Sequence, residues 1–161
     1  MYVRVMSVVA VREAVAALRA AVDDALASGD TDVLGRAELV EVLDDLETAG
    51  CQLPALRHRL LARLQIEATP QQLGAKSWKD VLAIRWRIST AEAHRRLTDA
   101  ALLGPRQSLT GEPLAPVLAA TAVAQARGLI NAEHVAVIRK AVAKLPGFVD
   151  TATADQFEVD L

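Results

Sequence analysis

Apolar residues recur at three- and four-residue steps through almost every segment of this chain, and that spacing constrains the fold more than any other feature. Leu39, Leu46, Leu53 and Leu60 repeat every seven residues, with Leu43, Leu56 and Leu64 beside them. Val8, Val11, Val15, Leu18, Val22 and Leu26 form a second stripe. Such spacing places residues on one side of an α-helix, whereas a half-buried strand would alternate. Composition agrees: 31 Ala and 22 Leu stand against 8 Gly and 5 aromatic residues among 161. Ala and Leu are strong helix formers, and strands favour β-branched and aromatic side chains. The expectation is an all-α chain of about seven helices, folded as one domain over residues 1–161 with helix-turn-helix-like hairpins.

Punctuation sets the expected boundaries. A first helix is predicted over Val8–Ala27, ending at Ser28-Gly29-Asp30 with Gly29 as a left-handed cap. A second covers Arg36–Glu67. Pro54 lacks an amide donor and clashes with the preceding turn, so a kink or break is predicted near Gly50–Pro54. The leucine seam reads as an intramolecular packing stripe, because a seam interrupted by proline is a poor zipper. A single turn is predicted over Gln71–Leu73, then helices over Trp78–Trp86 (capped by Ser77) and Thr90–Leu103 (capped by Ser89, with Glu92 completing a capping box). Pro105–Glu112 reads as a loop. Pro113 is expected to open a helix over Leu114–Ala126, and Asn131 to cap another over Ala132–Lys144. A last helix is predicted over Ala154–Leu161, where the pattern stops as though shortened.

Charge is segregated. Residues 1–56 carry 4 basic and 10 acidic side chains, and residues 57–96 carry 9 basic and 3 acidic. The basic segment either faces an anionic partner or packs against the acidic first third, and Asp44, Asp45 and Glu47 are the acids best placed for the second arrangement. Within it, Asp80 to Leu97 follows a helix-turn-helix pattern. Leu82 and Ala83 pack the first helix, Ile88 plugs the turn, and Ala93 and Leu97 seat the second helix. The glycine usual in that turn is absent, and Trp86 and Arg87 occupy its place. The candidate nucleic-acid-binding residues are Lys76, Lys79, Arg85, Arg87, Thr90, His94 and Arg95. Cations release counterions condensed on phosphates, and a helix N-terminus offers free amide donors to them.

Other chemistry finds little support. The lone Cys51 gives neither a disulfide framework nor a cysteine-rich zinc site, and reads as a small packing residue. His58, His94 and His134 are dispersed without metal-ligand spacing. His58, between Arg57 and Arg59, reads as a solvated surface residue, and His134 as part of a helix cap. Asp44 and Asp45, with Glu41 and Glu47, read as a solvated face. No catalytic residue, metal site, cofactor or small-molecule substrate is assigned. No apolar run approaches the ~20 residues a membrane span needs, and with no secretory signal evident the default compartment is the cytoplasm.

Several stretches taken together carry a resemblance. They are Leu53-Pro54-Ala55-Leu56-Arg57-His58-Arg59-Leu60-Leu61-Ala62-Arg63-Leu64, Leu73-Gly74-Ala75-Lys76-Ser77-Trp78-Lys79-Asp80-Val81-Leu82-Ala83, Arg87-Ile88-Ser89 through Ala93-His94-Arg95-Arg96-Leu97, Leu103-Gly104-Pro105-Arg106, Leu109-Thr110-Gly111-Glu112-Pro113-Leu114 and Gly128-Leu129-Ile130-Asn131-Ala132-Glu133-His134-Val135. From about Arg36 onward the chain resembles the bacterial 13E12 repeat family, whose shared region is the domain of unknown function 222. Family members commonly continue into a C-terminal HNH endonuclease domain with metal-bound histidines. Nothing of that motif can be matched here, so the resemblance implies no catalytic residue in these 161 residues. It makes DNA the leading expected partner of a non-enzymatic module. The alternatives are a helical scaffold that associates with itself or another helical protein through the leucine seam, and an inert remnant of a repeated element.

Overall fold

The computed structural model describes the backbone of residues 2–161 and the side chains of residues 9–161. Among the described residues it holds seven α-helices and one two-stranded ribbon: α1 (Tyr2–Ala27), α2 (Arg36–Glu67), α3 (Trp78–Trp86), α4 (Thr90–Leu103), β1 (Arg106–Gln107), β2 (Pro113–Leu114), α5 (Ala119–Ala126), α6 (Ala132–Val142) and α7 (Thr151–Asp160). Single 3-10 turns form over Asp30–Val33 and Gln71–Leu73. The all-α expectation holds. No helix among the described residues is long and apolar enough to cross a membrane.

The chain divides into two compact units, residues 1–43 and 44–161. In the first, α1 begins ahead of the predicted Val8. Gly29 does not take the predicted left-handed cap, since its φ is −82°. Val11, Val15, Leu18, Val22 and Leu26 of the predicted stripe are exposed, and the side chain of Val8 lies outside the described residues.

The second unit contains two small cores. Leu61, Val81, Leu82, Ala93 and Ala100 form one, with Ala75, Trp78, Ala83, Ile88 and Leu97 packed against it. Leu103, Leu118 and Val135 form the other, bordered by Leu102, Ala122, Ile130 and Val142. Fully burying a side chain such as Leu61 or Leu82 contributes about 1.5–3 kcal/mol, so these short clusters carry much of the unit's stability. The segment of α2 in this unit approaches both hairpins. A Cβ on Gly104 would meet the Ala100 carbonyl oxygen at 2.4 Å and the His58 carbonyl oxygen at 3.3 Å. One on Gly128 (φ 76°) would lie 2.6 Å from Thr48 Cγ2. Glycine is needed at both positions so that the chain can pass.

Four sequence expectations are corrected here. First, α2 runs as one helix through Pro54, so of the two predicted outcomes, a kink or a break, the break is absent. Second, the leucine seam does not line a core: Leu46, Leu53 and Leu60 are 62%, 41% and 49% exposed. The buried face of α2 carries Cys51, His58 and Leu61 instead. Third, His58 is therefore a buried residue and not a solvated one. The signal was its spacing, seven residues after Cys51 and three before Leu61, which the flanking arginines disguised. Fourth, Pro113 does not open a helix. Arg106 and Gln107 pair antiparallel with Leu114 and Pro113, and α5 starts only at Ala119. Pro116 disfavours helical backbone at Ala115, which delays the helix.

The start of α5 has no side-chain cap from Leu118. Glu158 of α7 supplies one across the fold. Its Oε1 accepts 2.7 Å from the Thr121 amide and 2.6 Å from the Thr121 hydroxyl, and the carboxylate is buried. A carboxylate there satisfies free amides and complements the positive end of the helix.

Candidate nucleic-acid interface

The hairpin α3–α4 is built by its caps and its small core. Ser77 accepts from the Asp80 amide at 3.2 Å and donates to Asp80 Oδ2 at 2.7 Å, which starts α3. Arg87 ends it in the left-handed region (φ 54°, ψ 42°), donating its amide to the Ala83 carbonyl. Arg87 therefore occupies the conformation that the missing glycine would take, and it is the only non-glycine with positive φ among the described residues. Ser89 then caps α4, accepting from the Glu92 amide at 3.1 Å. Leu82 and Ala93 are fully enclosed, and Ile88 packs in the turn, as the sequence pattern required.

The predicted capping box at Ser89 is only half made. The Glu92 carboxylate turns instead toward two arginines: Oε1 accepts from Arg95 at 2.7 Å and from Arg96 at 2.6 Å, and Oε2 accepts from Arg95 at 2.8 Å. Those hydrogen bonds, Arg95 first, hold the Glu92 carboxyl down to about 2. Arg95 also donates to Asp99 at 3.0 Å, and Arg139 of α6 donates to the other Asp99 oxygen at 2.8 Å. Burial pushes the Asp99 carboxyl up, against the opposing pull of Arg139 and Arg95. The network ties α4 to α6. A true capping box forms at α6, where Asn131 accepts from the His134 amide and His134 Nδ1 faces the Asn131 amide at 3.4 Å.

Arg95 thus differs from its predicted role. Its side chain is 39% exposed, but it points its donors at Glu92 and Asp99 and not outward as a base-reading group. The remaining sequence candidates meet the expectation of exposure: Lys76, Lys79, Arg85, Arg87, Thr90 and His94 are all exposed. Among the described residues, Lys76, Lys79, Arg85 and Arg87 have no carboxylate oxygen within 4.0 Å. Asp44, Asp45 and Glu47 form no ion pair with the basic segment either. Arg85 lines a small cleft together with Gly74 and Ala75, on the turn that leads into Lys76. Arg57 was not among the candidates. It is half-buried, and burial, reinforced by nearby Arg96, pushes its guanidinium below the usual range.

Comparison with known proteins then fixes the family. Residues 40–161 match the domain of unknown function (DUF222). The chain belongs to the DUF222 family. Curated relatives of this DUF222 chain include Rv1128c of Mycobacterium tuberculosis, an uncharacterised protein 46% identical over 130 residues, covering 81% of this chain and 29% of the relative. Uncharacterised Rv3466 of the same organism is 48% identical over 108 residues, 67% of this chain and 48% of its own length. Uncharacterised Mb1614c of Mycobacterium bovis is 46% identical over the same number of residues. The DUF222 chain spans between 29% and 48% of the length of these relatives. No solved structure matches it.

Proposed function

We propose that the DUF222 chain is a non-enzymatic module whose α3–α4 hairpin binds nucleic acid. The observation that carries this reading is the set of four exposed cations, Lys76, Lys79, Arg85 and Arg87, without carboxylate partners among the described residues, together with an α4 whose first turns leave Thr90 and His94 exposed. Free cations contribute counterion release, and α4 carries exposed polar groups of the size that reach base edges in a major groove. Arg95 and Arg96 act as scaffolding that fixes α4, with Glu92 and Asp99 as their anchors.

Fluorescence anisotropy of a labelled duplex, titrated with salt from about 50 to 200 mM, tests this reading. The logarithm of affinity should fall linearly with the logarithm of salt concentration. Replacing both Lys79 and Arg85 by Ala should reduce that slope by about two, nearly one unit per lost phosphate contact. Thr90→Ala and His94→Ala should change preference between sequences more than overall affinity. Binding that is independent of salt, or that survives loss of all four cations unchanged, would sink the proposal.

A further inference from the structure

A row of leucines on α2 faces solvent, and the charges beside it select what covers it. Within residues 44–67, Leu46, Leu53 and Leu60 share one helix face, nearly opposite buried Cys51 and His58. At about 25 cal/mol per Å² of apolar surface, such a row gains by being covered. Asp45 and Arg63 are eighteen residues apart, about five turns at 3.6 residues each, and so lie on the same flank of that row. The flank is acidic at one end and basic at the other. Arg63 is half-exposed and, among the described residues, pairs with Glu67 alone, one turn further along.

We propose that this face of α2 binds the same face in a second copy of the chain, antiparallel, with the two-fold axis at Leu53. Leu53 then meets Leu53 of the second copy, and Leu46 meets Leu60 in both directions. Asp45 of each copy lies opposite Arg63 of the other, so the symmetry makes that favourable pair twice. A parallel pair would put the two copies of this flank on opposite sides of the seam and so make no contact between Asp45 and Arg63. Gly50 sits beside the axis with open space where a side chain would be, so the two backbones can approach. Pro54 does not prevent the pairing, because α2 continues through it. The proposal is independent of nucleic-acid binding, since none of the α3–α4 cations takes part.

Sedimentation velocity and cross-linking test the proposal on the full chain. The wild type should sediment at twice 17.2 kDa. Leu53→Lys should give a monomer with unchanged helical circular dichroism. Asp45→Arg should weaken the dimer, and adding Arg63→Asp should restore it, a rescue that simple misfolding does not produce. Under mild oxidation, Leu53→Cys should cross-link to itself, whereas Leu46→Cys should not, because its two copies would lie about 21 Å apart at 1.5 Å per residue. Buried Cys51 should leave the wild type uncross-linked. A monomeric wild type at high micromolar concentration overturns the proposal and leaves the seam to another helix of the same chain or to solvent. Equal cross-linking at positions 46 and 53 overturns the antiparallel arrangement.

Discussion

Arg87 carries a conformational strain and a charge at once, and substitution separates them. Its backbone lies at φ 54°, ψ 42°. Left-handed helical backbone costs a residue with a Cβ about 1–2 kcal/mol. Glycine escapes that cost but loses about 0.5–1 kcal/mol more backbone entropy on folding. Arg87→Gly should therefore stabilise the protein by about 0.5–1 kcal/mol, with the hydrogen bond to the Ala83 carbonyl kept. For a chain of this size that corresponds to a rise in Tm of about 1–4 °C. Arg87→Ala retains the strain and should leave stability within about 0.5 kcal/mol of wild type. Both variants lose the same cation, so both should flatten the salt dependence of duplex binding by about one unit. Thermal and urea unfolding followed by circular dichroism, beside anisotropy titrations, read the two quantities. If the glycine variant is no more stable than the alanine variant, the strain argument is wrong. If both bind as wild type does, Arg87 does not contact phosphate.

Adjacent leucines on α2 should respond oppositely in the monomeric Leu53→Lys background: Leu61→Ala, at a site 2% exposed, should cost about 2–5 kcal/mol in urea unfolding, whereas Leu60→Ala, at 49%, should cost less than about 1 kcal/mol. Burial first, then the charges of Arg57 and Arg95, holds buried His58 down to about 4. The unfolded chain takes up that proton near the ordinary pKa of about 6.5 and the folded one does not, so stability should be lost as pH falls from about 6.5 to 4. His58→Leu should flatten this part of the stability profile, and an unchanged slope would show that the imidazole is solvated. Asp99→Ala removes the carboxylate joining Arg95 to Arg139 and should cost about 1–2 kcal/mol, since both arginines left behind are partly exposed and Arg95 keeps Glu92. A urea midpoint equal to wild type would show that the network does not stabilise the packing of α4 on α6.

The helical character, most element boundaries and the internal packing of the α3–α4 hairpin were legible in the sequence, because all three are local. Periodicity places Leu82, Ile88, Ala93 and Leu97 inward whatever surrounds the hairpin, and Ser77, Ser89 and Asn131 cap helices through atoms only a few residues away. The family resemblance was likewise carried by short stretches of sequence. Only the tertiary structure decided which side of α2 is covered. Two stripes compete on that helix, and the inner one, with Cys51, His58 and Leu61, looks the more polar in sequence. Packing against α3 and α4 reversed the apparent order and left the leucines outside. It was also the tertiary structure that turned Glu92 and Asp99 toward Arg95, taking a predicted contact residue out of the candidate surface. Glu158, whose partner Thr121 lies 37 residues away, could not be recognised as the cap of α5 from local pattern. Local geometry fixes the helices, but the partner of each exposed stripe or charge depends on residues distant in the chain, and periodicity carries no information about them.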